Sequence, residues 1–299
     1  MVNVDAVDTA SLAFWSASLG LTLSFLIMGF LSVRGKGDPA RTGAKWYKVA
    51  SVLILLWCVF GVAIIAYTRR DAIYTRGYGR EVLPQEYLET AGQLQILVAL
   101  FNNLAVTTLM VTQIHMAVGL QYATGSIDGK PQTTSVHLPR TLAAAVLTVV
   151  LVLSMAQLAL NEWQLYNDYE FNSTSKARAT AGLGFALSIV KVLFAGYSLV
   201  LTLAKTRPSN LVSVNIHLIA ASFLTFAATL YMVVISGIIG LQPGLSATRE
   251  PIRSLPDWIG IVQAIFNPWF IATALALSCN VLKKISRGLW TGRYQYPYV

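Results

Sequence analysis

The sequence predicts an all-α integral membrane protein, a seven-helix bundle with its N-terminus outside and its C-terminus cytoplasmic. Three observations carry this. The chain is far too apolar for a soluble domain of its length, at 55% hydrophobic, 12% charged and mean hydropathy +0.59 over 299 residues. Seven apolar runs reach the roughly 20 residues needed to cross a bilayer, at about 10–33, 49–67, 88–120, 141–160, 181–203, 212–240 and 258–282, and only short loops separate them in a single transmembrane domain, 1–299. The connecting segments also alternate in charge, which sets the orientation.

The first helix begins near Ala10 and places Ser11, Ser18 and Thr22 on one face, with Gly20 allowing close approach, a pattern that marks helix packing. Asp5 and Asp8 precede it and no small-residue cleavage site closes it, so it is expected to act as its own insertion signal. The second run, VASVLILLWCVFGVAIIAY, has almost no polar groups and is the expected lipid-facing element. The segment that follows, about 68–89, is rich in aromatic residues and broken by Gly77, Gly79 and Pro84; it reads as an interface loop or a lid.

The third run is the centre of the pattern. Residues 86–122 carry Gln95, Asn102, Asn103, Thr107, Thr108, Thr112, Gln113 and His115. At about 100° per residue, Gln95, Asn102 and Gln113 share one line, Asn103 and Thr107 flank it, and Thr108, Thr112 and His115 lie nearly opposite. Polar groups all round a spanning helix are costly unless other helices or enclosed water satisfy them. This helix is therefore expected to have protein on most sides.

The fourth helix is plain Val, Leu and Ala, with Gln157 near its outer end. The fifth contains Lys191 about ten residues from either end, on one face with Gly184, Ser188, Ala195, Ser198 and Thr202. An ionisable group near the bilayer midplane signals a functional site, with a partner to be named. No Asp or Glu falls in the predicted membrane core; Glu86, Glu89, Glu162 and Asp257 all lie at outer helix ends. Three readings remain open for Lys191: it is uncharged, it is satisfied by amides of the third helix and water, or its counter-charge arrives with a ligand. The sixth helix aligns Asn215, Ser222, Thr225, Thr229 and Ser236. The seventh aligns Gln263, Asn267 and Ser278, and Pro268 should bend it near Ala264.

One side of the membrane collects Asp5, Asp8 and loops of balanced or acidic charge, whereas the other collects Arg34, Lys36, Arg41, Lys45 and Lys48, then Lys205, Arg207, Lys283, Lys284, Arg287 and Arg293. The basic side is cytoplasmic by the positive-inside rule. This bias accounts for the net charge of +9 without any nucleic-acid partner. The sequon at Asn172 falls on the outer side and predicts a glycoprotein in a eukaryotic host. Plasma membrane and endoplasmic reticulum are both compatible. Cys58 and Cys279 lie within helices, so no disulfide joins the outer loops, and a buried thiol is the simpler reading of each.

Several chemistries find little support. The three histidines are scattered, so neither a metal site nor a cofactor is expected. No nucleophile motif accompanies the serines. A retinal-type Schiff base would want a buried carboxylate beside the lysine. In topology, in the polar third helix and in Asn267-Pro268, the chain is similar to seven-helix receptors. The likeness is one of architecture: the third helix ends in HMAVGLQY without the acidic-Arg-aromatic triplet, and Ile271 stands where those receptors place a tyrosine. With Lys191 lacking a counter-charge inside the predicted core, the leading expectation is a receptor-like protein binding a small anionic or carbonyl-bearing amphipathic ligand through Lys191, Asn102, Asn103, Gln95 and Asn267, with membrane lipid as its other partner. The alternative is a membrane-embedded enzyme, such as an isoprenoid cyclase, using Glu86, Glu89 or Asp257 as its acid. No catalytic residue is assigned.

Overall fold

A computed structural model describes residues 4–32, 43–78, 85–127, 137–167, 173–205, 212–240 and 259–288. All described elements are helical: α1 (Val4–Ser32), α2 (Gly43–Tyr78), α3 (Gln85–Ile127), α4 (His137–Asn167), α5 (Ser173–Lys205), α6 (Val212–Gly240), α7 (Ile259–Ala264) and α8 (Phe270–Gly288), the last two joined by one π-helical turn, Ile265–Trp269. Seven stretches are long and apolar enough to cross a membrane, α7 and α8 together forming the seventh. The chain is thus a multi-pass membrane protein by length and composition.

Successive helices pack side by side, and α8 closes the ring against α1. α3 lies inside it, touching α2, α4, α5, α6 and α8. From Ala105 to Ile114 every side chain on it is buried, so its polar residues face protein all round, as their distribution requires. Ser11, Ser18 and Thr22 of α1 and Ser188, Lys191, Ala195, Ser198 and Thr202 of α5 are likewise buried.

Several expectations need correction. α2 is not the most lipid-exposed helix: 33% of its most apolar stretch is buried, against 17% for α4. Trp57, Tyr47, Ile54 and Cys58 on α2 are all fully buried. Apolarity alone cannot separate lipid-facing from protein-facing residues, because lipid tails are as apolar as a protein interior. Gly20 has nothing near it; the close approaches to α1 and α2 run through Gly29, packed on Tyr47, and Gly61, packed on Trp15. Cys58 and Cys279 are, as expected, both buried free thiols.

The helices also outrun their apolar spans. α2 continues to Tyr78 through much of the segment read as a loop, and Tyr67 ties it to the start of α3, where Tyr67 and Tyr87 stack at 4.2 Å and the Tyr87 hydroxyl donates to the Tyr67 carbonyl. α3 is 43 residues long, about 65 Å at about 1.5 Å per residue, twice a hydrocarbon core of about 30 Å. An apolar run measures the membrane, and the helix is free to continue into water.

Pro268 sits in the π-turn, where the Phe270 amide donates to the carbonyls of Ile265 and Asn267. The wider turn is how this helix absorbs the proline's missing donor. It inserts one extra residue, which rotates the preceding segment by about 100° relative to a regular helix. Gln263 is accordingly exposed while Asn267 and Ser278 are buried, and the predicted three-residue face is broken.

Candidate functional site

The middle of the bundle holds two polar layers. In the first, Asn103 on α3 stands between α4 and α5: Lys191 Nζ donates to its Oδ1 at 2.7 Å, and its Nδ2 donates to Gln157 Oε1 at 3.2 Å. Gly184, on the polar face of α5, leaves space for the Gln157 amide, since a Cβ there would lie 3.1 Å from Gln157 Nε2. An ammonium carries three donors, and Asn103 takes one of them. Lys191 is only 3% exposed and reaches the floor of a cavity of about 500 Å³.

The cavity has two unlike walls. α3 and α4 supply carboxamides, Gln95, Asn102, Asn103, Gln157 and Gln164, while α5 and α6 supply Ala181, Phe185, Met232 and Ile235 beside Ser188 and Ser236. Lys191 is the one charged side chain lining it among the described residues, and no carboxylate lines it. Asn102 is 7% exposed, and its Oδ1 is buried with no hydrogen-bond partner among the described residues. A buried unpaired acceptor costs about 1–3 kcal/mol.

The sequence-derived residues fall into three places. Lys191, Asn102 and Asn103 meet at the cavity floor. Gln95 is exposed, two helical turns nearer the start of α3, and lines the rim. Asn267 is buried on the far side of Lys191 and Asn102, where these three residues and Thr229 border a void of about 10 Å³. Asn172 lies outside the described residues, as do the side chains of Glu86 and Asp257. Glu89 is half-buried near the start of α3. No cluster of three or more metal-ligating His, Cys, Asp or Glu side chains occurs among the described residues.

Sequence reasoning noted Gln157 but gave the carboxamides of α4 no part in the site. Gln157, Asn161 and Gln164 recur at helical spacing on one face of α4, and that periodicity was the available signal.

The second layer joins α3, α5 and α6. Gln113 Nε2 donates to Thr225 Oγ1 at 2.9 Å, Ser198 Oγ reaches Gln113 Oε1 at 3.5 Å, and Thr202 and Ser222 pair at 3.2 Å. Here the polar groups satisfy one another away from the cavity. Interhelical hydrogen bonds in membranes average about 0.6 kcal/mol, whereas emptying a packed site costs about 2–4 kcal/mol. Gln113→Ala is therefore expected to destabilise the bundle by about 2–4 kcal/mol, and Gln113→Leu by less than about 1.5 kcal/mol, in reversible unfolding from mixed micelles. Equal losses would show that the hydrogen bonds, and not the filled volume, set the cost.

No protein-family model matches the chain, and no curated protein matches it in sequence.

Proposed function

We propose that the protein is a receptor-like ligand-binding membrane protein whose cavity takes a small amphipathic molecule with an anionic or carbonyl head. The observation that carries this reading is Lys191, a buried cation on the floor of a cavity whose lining offers no counter-charge among the described residues. A cavity of about 500 Å³ falls within the usual 300–1,000 Å³ of small-molecule sites. Its amide wall and apolar wall suit an amphipathic guest. Asn102 and Asn103 orient the head, Gln95 guards the rim, and Asn267 connects the floor to the π-turn, the bistable element of this reading.

The test compares small molecules retained by wild type and by Lys191→Met after purification from native-like membranes. An acidic or carbonyl compound present in the first and absent from the second is the expected result; identical retained profiles from two equally stable proteins would overturn the reading. The enzyme alternative requires an acid at the substrate, and the cavity lining supplies none among the described residues.

The orientation belongs to the same proposal, with the rim of the cavity outside and residues 34–48 cytoplasmic. Lys36→Cys should resist a membrane-impermeant maleimide in intact cells and react after permeabilisation, Cys58 and Cys279 being buried. Labelling before permeabilisation would invert the topology.

A further inference from the structure

The polar groups around the Lys191 cavity divide by wall. On α5 and α6 the hydroxyls are spent within the protein, since Ser188 Oγ donates to the Gly184 carbonyl at 2.9 Å and pairs with Ser236 Oγ at 3.4 Å. What those helices leave facing the cavity is largely hydrocarbon, from Phe185, Met232 and Ile235. On α3 and α4 the carboxamides are open. Gln157 commits its oxygen to Asn103 and keeps its nitrogen, and an adjoining space of about 430 Å³, which shares Gln95, Gln157 and Gln164 with the cavity, adds Asn161 to the same wall.

Two atoms on this wall are buried with no hydrogen-bond partner among the described residues, Asn102 Oδ1 and Gln164 Nε2. They stand at different depths. Asn102 shares the floor with Lys191. Asn103 beside it is bonded to Gln157, and Gln164 lies two turns beyond Gln157, about 10 Å along α4 at about 1.5 Å per residue. The first atom wants a donor and the second an acceptor. A bare carboxylate or carbonyl head only accepts, so on Lys191 it leaves Asn102 unmet, and a plain hydrocarbon tail leaves Gln164 unmet. A hydroxyl does either job, because it both donates and accepts. A site whose buried polar groups go unpaired rejects the ligand that lacks their partners. Charge limits the ligand further: Lys191 is the one charged side chain lining the cavity among the described residues, so a single anionic group matches it.

We infer that the ligand is a hydroxylated monocarboxylic acid, with one hydroxyl beside the carboxylate for Asn102, a second oxygen about 10 Å away for Gln164, and its hydrocarbon against α5 and α6. This rests on the ligand-binding reading of the Lys191 cavity and adds the class of ligand. The carboxylate accepts an N–H of Lys191 that Asn103 leaves over, the hydroxyls lie along the carboxamides of α3 and α4, and the opposite edge packs on Phe185, Met232 and Ile235. A saturated acid of the same length occupies the same space without those bonds.

The test uses the full chain in phosphatidylcholine nanodiscs and three acids of one length, decanoate, 2-hydroxydecanoate and 10-hydroxydecanoate, with affinities corrected for uptake by empty discs. Either hydroxyl should improve binding to the wild type by about tenfold over decanoate, the worth of one hydrogen bond to a buried group. In Gln164→Leu the gain from the 10-hydroxyl should vanish while that from the 2-hydroxyl stays; in Asn102→Leu the pattern should reverse. Decanoate binding the wild type as tightly as the hydroxy acids would overturn the proposal, and so would gains that both leucine variants leave untouched. The comparison in the wild type decides the matter even if a variant fails to fold. Failure of the underlying reading looks different: all three acids would then bind Lys191→Met as tightly as the wild type. If none of them binds the wild type saturably, the ligand class is wrong, and the retention test on Lys191→Met stands apart from it.

Discussion

Lys191→Met is expected to weaken ligand binding by at least about thirtyfold while leaving the bundle folded. Truncating one partner of a buried, hydrogen-bonded charge pair costs about 2–5 kcal/mol, and each 1.4 kcal/mol is tenfold in affinity. The effect on stability should be far smaller, because two consequences oppose each other. Removing Lys191 relieves the desolvation of a buried cation. It also strips Asn103 Oδ1 of its donor at 2.7 Å, which costs about 1–3 kcal/mol. Met matches the length of the lysine stem and sits comfortably beside Met232 and Ile235.

A double-mutant cycle separates the roles. Asn103→Leu alone leaves the lysine buried without its acceptor and should cost more stability than Lys191→Met. Combining the two should recover part of that loss, since both partners are then apolar. Binding should not recover in the double variant, because the cation is what the ligand meets. If affinity returns along with stability, Lys191 acts on the fold and the ligand contact lies elsewhere. The measurements are ligand affinity in nanodiscs and the midpoint of thermal unfolding, on all four proteins.

Gly61→Val should be among the most disruptive single substitutions in the bundle, destabilising it by about 3 kcal/mol or more, at the upper end of overpacking effects. A Cβ at this position would lie 2.0–2.5 Å from three atoms of the Trp15 ring. That ring has nowhere to go: it is 9% exposed and meets Trp57 edge-on at 5.5 Å, and Trp57 is itself fully buried. Either α1 separates from α2 or both indoles leave their rotamers. Gly20→Val on the same pair of helices is the control. Nothing lies within 4 Å of a Cβ there, so its effect should stay within about 0.5 kcal/mol, as for other exposed substitutions. Trp15→Ala should open the space Gly61→Val needs, so that the double variant is scarcely less stable than Trp15→Ala alone. Additive losses would show that the clash is relieved by some other movement.

Much of this protein was legible in its residues. The number of spans follows from apolar run length, because the bilayer imposes one length on every crossing. The inward position of α3 follows from polar residues all round it, since hydrocarbon cannot satisfy them. The inward face of α5 follows from Ser188, Lys191, Ser198 and Thr202 at helical spacing. In each case a one-dimensional pattern was enough, because it is decided by the solvent.

Other features belong to the tertiary structure alone. Which glycine admits a neighbour depends on what stands opposite, so Gly61 and Gly29 are contacts and Gly20 is not. Which apolar helix faces lipid depends on its position in the ring, so α4 takes the place that composition gave to α2. The face of Gln263 depends on a π-turn that a regular 3.6-residue period does not contain. Gln157 became part of the Lys191 site only when α4 was laid against Asn103 and Gly184. Sequence pattern reports how a helix meets its solvent; which helix meets which is a matter of packing between segments far apart in the chain, and only the assembled bundle decides it.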